Sequence, residues 1–281
     1  MKSSSVILGT AQFSGSYGIT NPKKHYSVDE LVSILSLASS HGISRLDTAI
    51  SYPGVYSILP QALFAISNKP NFRIATKFAF KGISQEIFLR QLQYSRDIFH
   101  SIEVDIVFVH DWNQLSREDF LVIEEIATVF PNLKIGASIY EPQELEEVLE
   151  NMPSISVIQF PFNILNQSFL PYFRIMRERD IEMWARSLFL QGALDWRSTM
   201  NIFRDHPSIV KLQRLGELLN VSPIELALDF IKEFTFQSVI GVATSTQLKE
   251  ILQALDLPKL NIQYESFAST DKRLVDPREW S

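Results

Sequence analysis

Residues 27–49 read SVDELVSILSLASSHGISRLDTA, and this stretch decides the fold. Ser27 and Glu30 have the spacing of a capping box, which satisfies free N–H groups at a helix start. Leu31, Ile34, Leu35 and Ala38 then recur at helical spacing, and Gly42 supplies the stop. A short apolar run, Ser44–Leu46, follows at once and closes on Asp47-Thr48. A capped helix, a glycine stop and a buried strand ending on polar residues form one unit of an alternating α/β chain.

The same alternation extends outward in both directions. Val6–Leu8 lies upstream. Downstream come Arg73–Thr76, Asp105–Val109, Leu133–Ala137, Ser156–Gln159, Ile181–Ala185 and Ser238–Val242. Each run is short and mostly apolar, as strands covered on both faces should be. Helix starts fall between them at Glu141-Pro142, Ser222-Pro-Ile-Glu225 and Thr244-Ser-Thr-Gln247. Eight strand–helix units favour a closed (β/α)8 TIM barrel over an open doubly wound sheet. The open sheet would want a glycine-rich phosphate turn, and neither G-x-G-x-x-G nor G-x-x-x-x-G-K-[ST] occurs. No Pro/Gly/Ser linker divides the chain, so residues 1–281 are expected to form a single α/β barrel domain. Residues 194–205 read as a long loop before two helices, and the tail after Leu257 as an irregular segment packed across one barrel end.

Composition narrows the function. With 46% hydrophobic and 21% charged residues the chain is globular, and a net charge of −6 argues against a nucleic-acid surface. The chain has no cysteine, which excludes disulfides, thiolate metal sites and a cysteine nucleophile. The N-terminus lacks a long apolar leader, and no stretch approaches the roughly 20 apolar residues of a membrane span. The expectation is a cytoplasmic protein with a small-molecule partner and neither nucleic acid nor membrane.

In barrels of this kind the active site forms at the C-terminal strand ends. There the sequence puts Asp47, then Tyr52 in the following loop, Lys77, and His110. Taken singly, each has an ordinary structural role: a cap, a packing ring, a solvated amine, a satisfied imidazole. Together on adjacent strands they suit carbonyl reduction. A phenol of pKa ~10 is a weak acid, and a neighbouring ammonium is expected to lower that value. A carboxylate holds the ammonium, and an imidazole donates to the carbonyl oxygen while it gains charge. A hydrolase would need two carboxylates flanking one bond, for which Asp47 and Asp111 are the candidates, but Asp47 is better explained by Lys77. A metal site would need converging ligands, whereas His25, His41, His100 and His206 read as loop or helix residues, so no metal is expected.

The chain resembles the aldo-keto reductases in His41-Gly-Ile43 leading to Asp47-Thr-Ala-x-x-Tyr52, in Ala75-Thr-Lys77 and in Val109-His110. The likeness continues through Ile135-Gly-Ala-Ser138, Ile158-Gln159, Phe162-Asn163, Ala185-Arg-Ser-Leu-Phe-Leu-Gln-Gly192 and Ile240-Gly-Val242. The resemblance implies a catalytic tetrad of Asp47, Tyr52, Lys77 and His110 and a nicotinamide cofactor, NADP(H) by preference with NAD(H) open. It implies that Ser138 and Gln159 hold the carboxamide, that Arg186 stands where many members stack an aromatic on the nicotinamide, and that Ser187, Leu188 and Gly192 wrap the pyrophosphate. Gly9 and Thr10 near the start, and Gly241, Thr244, Ser245 and Gln247 at the last turn, complete the implied cofactor contacts.

Three departures stand out: Ile139 where an Asn is common, Ala243 where a basic residue helps bind the 2′-phosphate of NADP, and Pro53 directly after Tyr52. Lys249 is a candidate to replace the basic residue. Phe13, Trp112 and Phe160 are candidates for the substrate-pocket wall. The opening Gly9-Thr-Ala-Gln-Phe13 with Tyr17-Gly18, and the closing Val275-Asp-Pro-Arg-Glu-Trp280, resemble a bacterial branch associated with polysaccharide pathways, which implies a sugar-derived carbonyl. The alternative is a dinucleotide-binding regulatory or partner protein that keeps the barrel with little turnover.

Overall fold

The computed structural model describes residues 5–15, 17–21, 23–67, 70–100, 102–110 and 112–280. Eight parallel strands run in chain order and close on themselves: β1 (Val6–Gly9), β2 (Arg45–Asp47), β3 (Arg73–Phe78), β4 (Glu103–Val109), β5 (Lys134–Ser138), β6 (Val157–Pro161), β7 (Glu182–Arg186) and β8 (Gln237–Gly241). The seam is a four-residue ladder in which Val6 to Gly9 face Ser238 to Gly241.

Helices α1 (Val28–Ser40), α2 (Val55–Ala65), α3 (Gln85–Phe99), α4 (Arg117–Val129), α5 (Pro142–Asn151) and α6 (Phe173–Glu178) follow the first six strands. The seventh is followed by α7 (Pro207–Leu219) and α8 (Pro223–Ile231), and the eighth by α9 (Ser245–Asp256). The caps are those the sequence announces. Ser27 and Glu30 form a reciprocal box on α1, Ser222 and Glu225 do so on α8, and Thr244 accepts from Gln247 N on α9. Gly42, at φ 78°, allows the turn in which Ile43 N reaches the Ala38 carbonyl.

Strand alternation sorts the apolar residues into two bodies. Ile7, Ala75, Ile106, Phe108, Val157, Trp184 and Val239 fill the barrel interior. A larger set joins the barrel's outer face to the helices. Gly136 on β5 makes room for the interior plug: a Cβ there would lie 2.6 Å from both Phe108 Cδ1 and Val157 Cγ1. The N-terminal end of the barrel is closed by Asp105, paired with Arg45 at 2.5 Å and Arg73 at 3.4 Å. A cavity lined by C-terminal strand ends opens at the opposite mouth.

The tail after Leu257 does pack across that mouth. Tyr264 Oη donates to buried Asp229 at 2.7 Å, and Arg278 lies over the Tyr140 ring at 4.2 Å. Lys77 departs slightly from its expected place. It lies inside β3, one residue before the strand ends, so its side chain points into the barrel and is 2% exposed.

Candidate active site

The end of β2 sets the first group. Thr10 N and Thr10 Oγ1 both donate to the Asp47 carbonyl, at 2.9 and 3.0 Å, which fixes the backbone that carries the Asp47 carboxylate. Lys77 Nζ donates to Asp47 Oδ1 at 2.5 Å and to the Thr48 carbonyl at 3.2 Å. Gln159 Nε2 donates to the same Asp47 oxygen at 2.9 Å, and Ser138 Oγ donates to Gln159 Oε1 at 3.3 Å. One continuous polar chain therefore runs from β3 through β2 and β6 to β5. Both members of the ion pair are buried, and such a pair persists only with this kind of hydrogen-bond support.

Tyr52 and His110 stand over that chain. The Tyr52 ring lies 5.6 Å from Lys77 Nζ and meets the His110 ring edge-on at 6.3 Å between centroids. His110 Nδ1 and Ser51 Oγ are 3.3 Å apart. The four residues expected at neighbouring strand ends are thus brought together at one mouth. Asp111 lies outside the described residues.

The expected direction of the Tyr52 shift is overturned. Burial, followed by the negative charge of Asp47, pushes the phenol above its ordinary value. The cation that opposes the rise is Arg186. Burial likewise lowers the Lys77 ammonium, against the pull of Asp47.

A long cavity runs from Tyr52, Asp47 and Gln159 across the mouth to Gly241, Ala243 and Gln247. Gly9, Arg186, Ser187, Leu188 and Gly192 also line it, as expected of a dinucleotide site. Its wall needs glycine. Gly192, at φ 99°, takes a backbone conformation that other residues rarely adopt, and a Cβ there would fall 2.1 Å from Thr20 Oγ1; Gly241 sits against the movable end of the Gln12 side chain. Gln159, whose amide carries both a donor and an acceptor, lines one end. An elongated, glycine-walled cavity with an amide at one end and a helix start at the other fits a dinucleotide.

Four of the expected cofactor residues act from behind the wall. Thr10 anchors Asp47, Ser138 supports Gln159, Thr244 caps α9, and Ser245 is its first helical residue. Ala243 N is already taken by Gln247 Oε1 at 2.7 Å. Glu250 lines the cavity, and Lys249, the candidate, does not.

The aromatic wall is corrected. Phe160 is fully buried among Phe169, Phe173 and Phe162, since alternation along β6 turns it away from inward-facing Gln159. Trp112 stacks on Phe120 at 5.0 Å, and Phe13 packs on Tyr26 at 5.7 Å. None of the three lines the cavity.

Gln12, Tyr17, Tyr140 and Arg197 stand at the mouth without a motif in the sequence that assigns them a site role. Gln12, Tyr17 and Arg197 line the cavity. Tyr17 belongs to a loop that folds over it, with Ile19 N donating to the Gln191 carbonyl at 3.0 Å. Tyr17 is pushed above its ordinary value by burial and then by Tyr52, which marks how near the two phenols lie. Its signal was the Tyr-Gly pair at 17–18, where Gly18 takes φ 97°.

A comparison with curated proteins found no match. Among solved structures, the chain is similar to a putative 2,5-diketo-D-gluconic acid reductase B (17% identity, TM-score 0.71, covering 98% of this chain and 91% of the other). It is also similar to an aldo-keto reductase from Bacillus halodurans in its holo form (17%, 0.71, 94% and 90%) and to one from Klebsiella pneumoniae in complex with NADPH (13%, 0.68, 97% and 91%). At these identities the likeness is one of fold. The family match is broader evidence, since the aldo/keto reductase family aligns with residues 5–272. With that span and the four strand-end residues gathered at one mouth, the chain belongs to the aldo/keto reductase family.

Proposed function

We propose that this protein reduces an aldehyde or ketone, with Tyr52 as the general acid and NADP(H) as the preferred cofactor. The observation that carries the reading is the joined set of Asp47, Lys77, Tyr52 and His110 at the open mouth. Gln159 ties that set to the carboxamide end of the cavity. Bound there, the cofactor supplies hydride.

The remaining work falls to the chain. Tyr52 keeps its proton until the carbonyl oxygen gains negative charge and then gives it up to that oxygen. Asp47 fixes Lys77, and Lys77 places positive charge beneath the Tyr52 ring. His110, edge-on to Tyr52, orients the same oxygen. Gln159 and the loop at 187–192 hold the ligand along the wall. Family relatives solved with NADPH support the choice of NADP(H), and the diketogluconate reductase likeness supports a sugar-derived carbonyl. A cysteine-free chain suits the reducing cytoplasm, where we place it.

The test follows loss of NADPH or NADH absorbance with aldehydes, ketones and sugars. Tyr52→Phe should lower turnover by about 10²–10⁴ while dinucleotide binding, followed by protein fluorescence, persists. Full activity in that variant overturns the assignment of Tyr52. Tight dinucleotide binding without turnover of any carbonyl would favour a regulatory role instead.

A further inference from the structure

Among the described residues, Arg186 is a cation without a counter-ion. Its guanidinium leaves the end of β7, crosses the mouth and lies 4.1 Å from the centroid of the Tyr140 ring. Nη2 donates to the Ile139 carbonyl at 3.0 Å, Nη1 reaches Ser187 Oγ at 3.5 Å, and Nε is buried with no partner. Among the described residues no carboxylate pairs with it. The other cations near the mouth are matched: Lys77 with Asp47, Arg197 with Asp195, and Arg278 with Asp276 and Glu141. Among the described residues, Arg186 is thus left without an acidic partner at the mouth of a chain whose net charge is −6.

A half-buried, uncompensated charge is costly, and a ligand that brings the opposite charge removes that cost. The group is also held ready. Arg278 lies 4.2 Å from the same Tyr140 centroid, so both guanidiniums pack on that ring. Tyr140 is thus clamped, and Arg186 with it. A planar guanidinium in a fixed position suits the paired oxygens of a carboxylate or phosphate.

Position decides which ligand carries those oxygens. The helix start at Gly241 to Gln247 and the loop at Ser187 to Gly192 suit a pyrophosphate, while the guanidinium leans onto the end of β5, over Tyr140 and the Ile139 carbonyl. Arg186 acts at the other end, where its charge bears on Tyr52, Tyr17 and Lys77. Resting on the reductase reading above, we propose that Arg186 selects carbonyl substrates that bear an anionic oxygen group, a carboxylate or a phosphate, close to the reacting carbonyl.

Two matched pairs test this. Succinic semialdehyde is compared with butanal, and glyceraldehyde 3-phosphate with glyceraldehyde, by kcat/KM on the wild-type enzyme. The charged member of at least one pair should be preferred about tenfold or more, and the pair that shows the preference identifies the anion. Equal values in both pairs overturn the proposal. In Arg186→Met the ratio within the favoured pair should fall toward one, with Arg186→Lys between; an unchanged ratio in Arg186→Met overturns it. A second arm needs no turnover: calorimetric titration of wild type and Arg186→Met with succinate and with inorganic phosphate. Saturable binding that is lost in the variant supports the proposal, and failure of both anions to bind wild type overturns it. Anion binding without reduction of any carbonyl would leave the Arg186 site standing and sink the reductase reading.

Discussion

At the scale of single residues, Tyr52 sets the pH behaviour. Burial and Asp47 raise its phenol above the ordinary value of about 10. The acid form is therefore full throughout the neutral and mildly alkaline range, and titration of Tyr52 cannot depress reduction there. The expected rate profile for carbonyl reduction has no alkaline limb below about pH 10; a limb between pH 7 and 9 would contradict the environment described for Tyr52. The Asp47–Lys77 pair makes a second prediction. Lys77→Met leaves a buried carboxylate unpaired and should cost about 3–5 kcal/mol of stability. Adding Asp47→Asn should return part of that loss, a coupling that urea unfolding of the three variants can measure.

The four strand-end residues were legible because polar side chains at the ends of apolar runs break the pattern that surrounds them. Phe160 was not, because an apolar side chain fits either face of a strand and only the register to Gln159 tells which. No local pattern links Arg186 to Tyr140, so the clamp that holds it had no trace in the sequence.

At the scale of elements, helix starts and strand cores were written plainly. Ser27, Ser222 and Thr244 each sit where a free N–H needs an acceptor, and each provides one. Strand ends were less sharp. β3 runs on to Phe78, which is why Lys77 is a barrel residue and not a solvated one. β5 depends on a residue that no hydrophobic period marks. Gly136 gives Phe108 and Val157 their space in the plug. Gly136→Ala should overpack the interior and cost about 1–3 kcal/mol, seen as a lower midpoint in thermal or denaturant unfolding. An unchanged midpoint would mean that the Phe108 ring shifts at no cost.

At the scale of the whole molecule, the alternation of eight units was enough to choose a closed barrel. Which residues meet across the mouth was beyond reach, since that depends on loops of different strands folding over one another. Closure has its own consequence. Gly9 on β1 and Val239 and Gly241 on β8 line the same cavity wall, beside the ladder that joins the first strand to the last. A ligand filling the cavity therefore touches both sides of the only joint that the chain makes between its two ends of the sheet. It works as a clasp on a hoop: strands that can part singly in the empty protein must first release it. Saturating dinucleotide should slow amide hydrogen exchange in residues 6–9 and 238–241 more than in the far strands β3 and β4, and uniform slowing around the barrel would show that the joint is not where the hoop opens.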